Sequence, residues 1–263
     1  MRLATWNVNS IRTRLRRVLD WLNTHQPDVL CLQELKVTDE LFPAKEIAQA
    51  GYHAVCHGQK TYNGVAILSK IPPEDVQNGL DADPADPQAR LVGATVNGVR
   101  VYSAYVPNGS VVGSDKWTYK LAWLGRLRAK LAAEADPAQP VALLGDLNVA
   151  TRDADIANPD AWAQSVLAHP EARAALQQVT DWGFVDVFGK IHPSGGIYSW
   201  WDYRRGAFHK DDGLRIDHIL ATTSLADRVQ DAWVDREERK AAPKDDARGK
   251  PSDHAPLVAD FNV

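Results

Sequence analysis

Five short apolar runs in this chain end on residues that can bind a cation or move a proton: Asn7 and Asn9, Glu34, Asp146 with Asn148, Asp217, and Asp253 with His254. The clearest is PVALLGDLNVA, from Pro140 to Ala150. Val141, Ala142, Leu143 and Leu144 make a run fit for a strand buried on both faces, and Asp146 and Asn148 follow directly. A carboxylate and an amide at the mouth of such a strand are costly to bury unless something binds them. Singly, each of the five is explained by a turn or a helix cap. Together, each set against an apolar run, they imply strand tips that converge on one cleft.

The chemistry of that set is specific. Carboxylates and amides are hard oxygen donors, and with one histidine and no thiolate among them they favour Mg2+, or Mn2+, over Zn2+. Magnesium held by one or two carboxylates is the arrangement used on phosphate substrates, where it neutralises developing charge at phosphorus. A histidine beside aspartates steadies the attacked phosphate or shuttles protons, and a second carboxylate fixes its tautomer. The expected reaction is hydrolysis of a phosphoester. His53, Cys56 and His57 also have metal-binding side chains, but in a strand the histidines share one face and the cysteine takes the other. Zinc is not expected there.

Positioning these tips takes strands, and they are expected at residues 3–6, 28–32, 52–58, 64–69, 91–96, 99–106, 198–203, 214–221, 227–233 and 257–261. Asn97-Gly98 marks a hairpin between two of them. Ile11, Leu15, Val18, Leu19 and Leu22 recur at helical spacing, with Asn9 or Ser10 as N-cap and Pro27 as the stop. Arg12, Arg14, Arg16 and Arg17 on this helix read as a solvated basic face or as phosphate contacts. Leu121, Leu124, Leu127 and Leu131 define a second helix. A third, at 170–182, starts on Pro170 and is capped by Gly183. Residues 72–90 and 204–213 read as loops, the latter carrying Arg204, Arg205, His209 and Lys210. Hairpin neighbours exclude a simple parallel βαβ array. Trp6-Asn7-Val8-Asn9 is faintly echoed by Asp146-Leu147-Asn148-Val149, which suggests two strand-rich halves packed face to face with helices outside.

The 263 residues, 44% hydrophobic and 24% charged, belong to a soluble globular protein, and no composition break marks a linker, so one domain over 1–263 is expected. No apolar run approaches a membrane span, and the N-terminus lacks the apolar core of a signal peptide, which favours the cytoplasm. Cys31 and Cys56 read as buried free thiols. The net charge of −4 neither advertises nor excludes a nucleic-acid partner, because a carboxylate cluster alone lowers the sum.

LATWNVNS, DVLCLQELK, YNGVAILS, YVPNG, LLGDLNV, GLRIDHIL and PSDHAP, in order over nearly the whole chain, resemble the exonuclease III family of apurinic/apyrimidinic endonucleases. The resemblance implies an α/β (α+β) fold, a four-layer α/β/β/α sandwich of two packed mixed sheets with outer helices. It implies Mg2+-dependent cleavage 5′ of abasic sites, with 3′-5′ exonuclease and 3′-phosphatase or phosphodiesterase activity on duplex DNA, by a monomer. Glu34 would be the principal metal ligand, with Asn7, Asp253, Asp146 and Asn148 around the ion. Asp146 would activate water and Asn148 orient it. Asp217 would hold His254 against the phosphate, and Tyr105 would position that phosphate with Asn108 alongside. Trp200, Leu214 and Ile216 would form a pocket for a flipped-out, baseless sugar, which is cheap to extrude, and Arg204 stands where relatives insert a side chain into DNA. The chain departs from the family pattern at Val111, where some relatives have arginine, and at Asn9, where others have a carboxylate. A phosphatase of inositol or sphingolipid head groups is the alternative on this fold; a non-catalytic DNA-binding relative is disfavoured by intact Glu34, Asp146 and His254.

Overall fold

The computed structural model describes residues 1–80, 85–243, 246 and 248–263. Its strands are β1 (Arg2–Asn7), β2 (Val29–Gln33), β3 (His53–His57), β4 (Val65–Ser69), β5 (Glu74–Asn78), β6 (Leu91–Val96), β7 (Val99–Tyr105), β8 (Val141–Asp146), β9 (Phe184–Asp186), β10 (Asp217–Thr222), β11 (Val229–Val234) and β12 (Leu257–Phe261). The helices are α1 (Ile11–His25), α2 (Ala44–Gln49), α3 (Asp115–Glu134), α4 (Pro159–Trp162), α5 (Pro170–Thr180), α6 (Val187–Ile191), α7 (Ala207–Lys210) and α8 (Thr223–Ala226). Two six-stranded mixed sheets form, in the orders β11-β12-β1-β2-β4-β3 and β5-β6-β7-β8-β10-β9. This is the α/β sandwich expected from the sequence.

Each sheet is built on one parallel pair, β1 with β2 and β7 with β8, whose connections run through α1 and α3. The internal echo is thus topological, but it matches β1 to β7 and β2 to β8. The WNVN and DLNV segments occupy different places in the two halves. Strand alternation separates three apolar layers. Ala4, Trp6, Leu30 and Leu32 face outward under α1 with Val18 and Leu22. Leu3, Val29, Cys31, Val101, Leu144 and Ile219 fill the space between the sheets. Tyr102, Ala104 and Leu143 pack outward against Leu124, Leu127 and Leu131 of α3 and Leu176 of α5.

The same alternation delivers the polar tips. Along the inner faces the residues read Leu3-Thr5-Asn7, Val29-Cys31-Gln33, Val101-Ser103-Tyr105, Ala142-Leu144-Asp146 and Ala221-Ile219-Asp217. Each of these five stripes is apolar at one end and polar at the other. Gln33, buried between the sheets, accepts from Thr5 at 3.2 Å and donates to Ser103 at 3.1 Å, so the polar layer begins one residue pair before the cleft.

Several expectations are corrected. The 72–90 segment contains β5, an edge strand exposed on both faces, which has no hydrophobic alternation to reveal it; residues 81–84 of that segment lie outside the described residues. No strand forms at 198–203: Trp200 makes only isolated bridges to Leu214 and His254, and β10 begins at Asp217 rather than Leu214. Ser10 precedes α1 at φ 92° without a side-chain capping bond. The α5 helix ends on Asp181, two residues before Gly183. Cys31 is buried and Cys56 half-buried, both as free thiols. Arg14 and Arg17 are not a solvated face. Both are buried, Arg14 donating to the Asn9 and Pro251 carbonyls and Arg17 to those of Gly249 and Lys240, so α1 anchors the segment leading into β12.

Gly145 lets β8 lie against β7 on the way to Asp146. Its φ is 153°, and a Cβ there would drive into the Ala104 carbonyl oxygen across the parallel ladder. Gly145→Ala is expected to destabilise the fold by roughly 3 kcal/mol in chemical denaturation. A loss below about 1 kcal/mol would show that the ladder tolerates the methyl group.

Candidate active site

The tips of β1, β2, β8 and β10 and the segment before β12 meet at one end of the sandwich. The Asn7 carboxamide donates 2.8 Å bonds to both Glu34 Oε1 and Asp146 Oδ2, which joins the two sheets. His254 pairs through Nδ1 with Asp217 Oδ2 at 2.8 Å, and its Nε2 lies 3.7 Å from Asp146 Oδ2. Asp217 fixes the proton on Nδ1, which turns Nε2 toward the cleft. The other Asp217 oxygen, Oδ1, is buried without a partner. Ser252 holds the frame by donating to the Asn7 carbonyl at 2.7 Å and accepting from the His254 amide at 3.2 Å.

The backbone at these tips is strained. Asn9, Ser10, Glu34, Lys36 and Asn148 all have positive φ, a conformation that non-glycine residues hold only where surrounding contacts enforce it. Around Asn148 the enforcement is visible. Its amide donates to Asp146 Oδ1 at 3.0 Å, its side chain donates to the Val106 carbonyl at 3.0 Å, and its Oδ1 accepts from Asn108 at 3.0 Å. Beneath it lies Lys120 of α3, fully buried, whose ammonium donates to the carbonyls of Asn108, Asn148 and Val166 at 3.2, 2.7 and 2.6 Å. Burial pulls its pKa down to about 7, yet three carbonyls call for all three ammonium protons. Sequence reasoning missed Lys120, although it falls on the same helical stripe as Leu124, Leu127 and Leu131, where a charged residue is out of place.

The electrostatics follow from packing carboxylates together. Burial raises the Asp146 carboxyl to about 7; His254 and Asn7 oppose this, while Asp217 and Glu34 add to it. Burial works against a charge on His254, but Asp217, Asp146 and Asp253 outweigh it and hold the imidazolium up to about 10. Tyr105 is pushed well above its ordinary range by burial and by the neighbouring Glu34 and Asp146. Lys36 pairs with Glu34 at 2.9 Å and donates to Asn9 at 2.5 Å.

Among the described residues, Glu34, Asp146 and His254 are the one group of acidic, histidine or cysteine side chains whose donor atoms lie within 4.8 Å of one another. The donor set fits a hard divalent cation, since the carboxylates of Glu34, Asp146, Asp217 and Asp253 outnumber the cations Lys36 and His254. His254 belongs to this group, which the sequence reading did not anticipate. Asp253 lies beside it: its oxygens accept from Asn9 at 2.9 Å and from the Trp200 indole at 3.1 Å, and these bonds with His254 outweigh burial and keep its pKa low. Asn7 and Asn148 already use their side chains as described. The His53–Cys56–His57 set is not a cluster, and His53 is exposed.

At the rim, Trp200 is half-buried and bridged to Leu214, with Trp162 edge-on at 5.9 Å; Leu214 and Ile216 are buried behind it. Arg215 between them is fully buried and pairs with Asp155 at 2.8 Å and Asp186 at 2.7 Å, which locks this wall. The Arg204 side chain is 85% exposed and pairs with Asp202. Val111 is also exposed. A cavity of about 530 Å³ opens beside the cluster, along Tyr105, Asn108, Arg90, Tyr62 and Lys116. No described helix is long and apolar enough to cross a membrane.

A paired-sheet sandwich with a buried acid–imidazole cluster at its open end defines a metal-binding hydrolase. A model of the endonuclease/exonuclease/phosphatase family matches residues 4–254. Exodeoxyribonuclease III of Haemophilus influenzae is 36% identical over 99% of this chain and 100% of its own length. An AP endonuclease structure from Archaeoglobus fulgidus aligns with a TM-score of 0.95 at 45% identity, covering 100% of both chains. The 3′ phosphatase NExo from Neisseria, bound to product DNA hairpin, aligns at 0.93 with 41% identity, again covering 100% of both. The chain belongs to the exonuclease III/AP endonuclease family of DNA-repair nucleases, within the endonuclease/exonuclease/phosphatase superfamily.

Folding raises the proton affinity of His254 from an ordinary 6.5 to about 10. Between those values the folded protein keeps a proton that the unfolded chain has released, so stability falls as pH rises. In chelator, this proton is expected to contribute a decline in unfolding free energy from pH 7 to 10 of up to about 1.4 kcal/mol per pH unit, set against the rise that the lowered pKa of Lys120 contributes over the same range. Asp217→Asn should shrink that decline; identical slopes in the variant and the parent would contradict the coupling.

Proposed function

We propose that this chain, as one catalytic domain over residues 1–263, is a Mg2+-dependent phosphodiesterase of duplex DNA. It incises 5′ of abasic sites and also trims 3′ ends as a 3′-5′ exonuclease and 3′-phosphatase or phosphodiesterase. The observation that carries this reading is the bonded series Glu34–Asn7–Asp146 beside His254–Asp217, which spans both sheets at one open end. Glu34 would hold the metal, with Asp146 in reach of the same point and Asn7 fixing both carboxylates, while the protonated His254 stands beside the ion and is not a ligand. A bound divalent ion supplies charge neutralisation at the phosphoryl oxygens.

The remaining chemistry belongs to the side chains. With its pKa raised to about 7 by burial, Asp146 is a base poised to take a proton from water at the operating pH. Asn148, locked by Asn108 and Val106, orients that water. His254 stays protonated and places a positive charge against the attacked phosphate, with Asp217 preventing the ring from turning. The Tyr105 phenol keeps its proton and donates it as a hydrogen bond to a phosphate oxygen. Trp200, backed by Leu214 and Ile216, offers an apolar wall suited to a sugar without its base more than to a polar inositol head group. Arg204 is exposed enough to reach the duplex.

Turnover should be compared on a duplex with a tetrahydrofuran abasic analogue, a 3′-phosphate end, a recessed 3′-hydroxyl end and an inositol phosphate. The three DNA substrates are expected to be cut. Asp146→Asn and His254→Gln should each lower incision by about a thousandfold or more while remaining folded. Near-normal turnover by either variant, or hydrolysis of the inositol phosphate alone, would overturn the proposal.

A further inference from the structure

A second cavity, of about 500 Å³, lies away from the catalytic cluster and is lined by Tyr203, Phe208, His209, Arg236, Arg239 and Lys240. Two guanidinium groups crowd one ring here, with Arg236 4.4 Å and Arg239 5.1 Å from the Phe208 centroid. Arg239 also lies 5.0 Å from the Tyr203 ring. Two of the three cations are answered: Arg236 pairs with Asp211 at 3.0 Å and Lys240 with Glu237 at 2.6 Å. Arg239 is not. It is only 7% exposed, its single hydrogen bond runs from Nη2 to the Trp201 carbonyl at 3.2 Å, and its Nε is buried without a partner. Among the described residues no carboxylate forms an ion pair with it. Asp253 and Asp202, the latter also in the cavity wall, favour its charge from beyond pairing distance, but burial outweighs them, so the arrangement has room for an anion from outside the chain.

The walls specify more than a charge. Tyr203, half exposed, and His209, also exposed, offer aromatic faces on which a base can stack, while Phe208 is buried under the two guanidinium groups, and the volume suits a unit of nucleotide size. Arginine's planar fork is suited to phosphate. The cavity wall is also continuous with the catalytic cleft. The Trp201 amide donates to the Asp253 carbonyl at 3.0 Å, and Arg14 donates to both the Tyr203 hydroxyl at 3.0 Å and the Asn9 carbonyl at 2.6 Å.

We propose that this cavity is a second nucleotide subsite. It takes one phosphodiester-linked nucleotide of the DNA strand, phosphate on Arg239 and base against Tyr203, while the catalytic cluster engages a different phosphate. The subsite rests on the reading of the chain as a DNA phosphodiesterase. Its role is to position substrate, so it acts on KM and leaves kcat alone.

The test compares the parent with Arg239→Gln and Lys240→Gln on the abasic duplex, using duplexes in which single phosphates are replaced by neutral methylphosphonate. Arg239→Gln is expected to raise KM about tenfold with kcat within twofold, and to lower the slope of log KM against log salt by about one. One phosphate outside the scissile position should cost the parent about tenfold when neutralised and cost Arg239→Gln almost nothing. Lys240→Gln, at an exposed position, should weaken dependence on that same phosphate about threefold, which keeps the test decisive if Arg239→Gln fails to fold. Millimolar deoxynucleoside monophosphate should not compete; competition in the parent alone would assign the cavity to a free nucleotide and overturn the strand subsite. Unchanged KM and an unchanged phosphate scan in both variants would also overturn it. A parent that fails to incise the duplex at all would instead defeat the underlying assignment.

Discussion

The organisation of this protein depends on one side chain, Asn7. Its carboxamide stands at the end of β1 and bonds at once to Glu34 of its own sheet and Asp146 of the other. Without that bridge, the buried Asp146 and the half-buried Glu34 carboxylates would face each other across the seam with only repulsion between them. With it, the seam becomes a site. The fold prepares this arrangement along its whole length, because the interior stripes of β1, β2, β7, β8 and β10 pass from aliphatic residues to polar ones in the same direction. The hydrophobic layer sets the spacing of the sheets, and the polar ends are brought into hydrogen-bonding range as a result.

A cluster so crowded with negative charge needs support from outside its own residues. Lys120 ties three loops together from below through three carbonyls, and Arg215 clamps the wall behind Trp200 through Asp155 and Asp186. Ser252 and Trp6 hold the main chain around His254. These groups do no chemistry. Lys120 holds the Asn148 carbonyl and Arg14 that of Asn9, which keeps both residues in backbone conformations they would not otherwise adopt, the usual condition of a preorganised site.

Much of this was legible in the sequence, for a physical reason. Strands buried on both faces show as continuous apolar runs, and a polar residue at the end of such a run stands out, so Asn7, Glu34, Asp146, Asn148, Asp217 and His254 could be named before their geometry was known. The hairpin at Asn97-Gly98 and the leucine stripe of α3 were equally plain. What stayed hidden lacked a periodic signal. The β5 strand is exposed on both faces and carries no alternation. Residues 198–203 have the composition of a strand, yet Trp200 is used to bridge Leu214 and His254. Arg14 and Arg17 read as a solvated face or as phosphate contacts and Lys120 goes unread, because the carbonyls that bury them come from distant segments. The place of His254 within 4.8 Å of Glu34 and Asp146 depends on how two sheets stack, and no local pattern encodes that.

The central claim of the proposal is that the Asn7-bridged cluster binds a divalent cation through Glu34. It is tested most directly by measuring unfolding free energy against Mg2+ concentration, in the parent and in Glu34→Gln. The account predicts that the parent gains about 1.4 kcal/mol for each tenfold rise in Mg2+ above its dissociation constant, and that Glu34→Gln gains little over the same range. Equal gains in both proteins, or none in either, would contradict it.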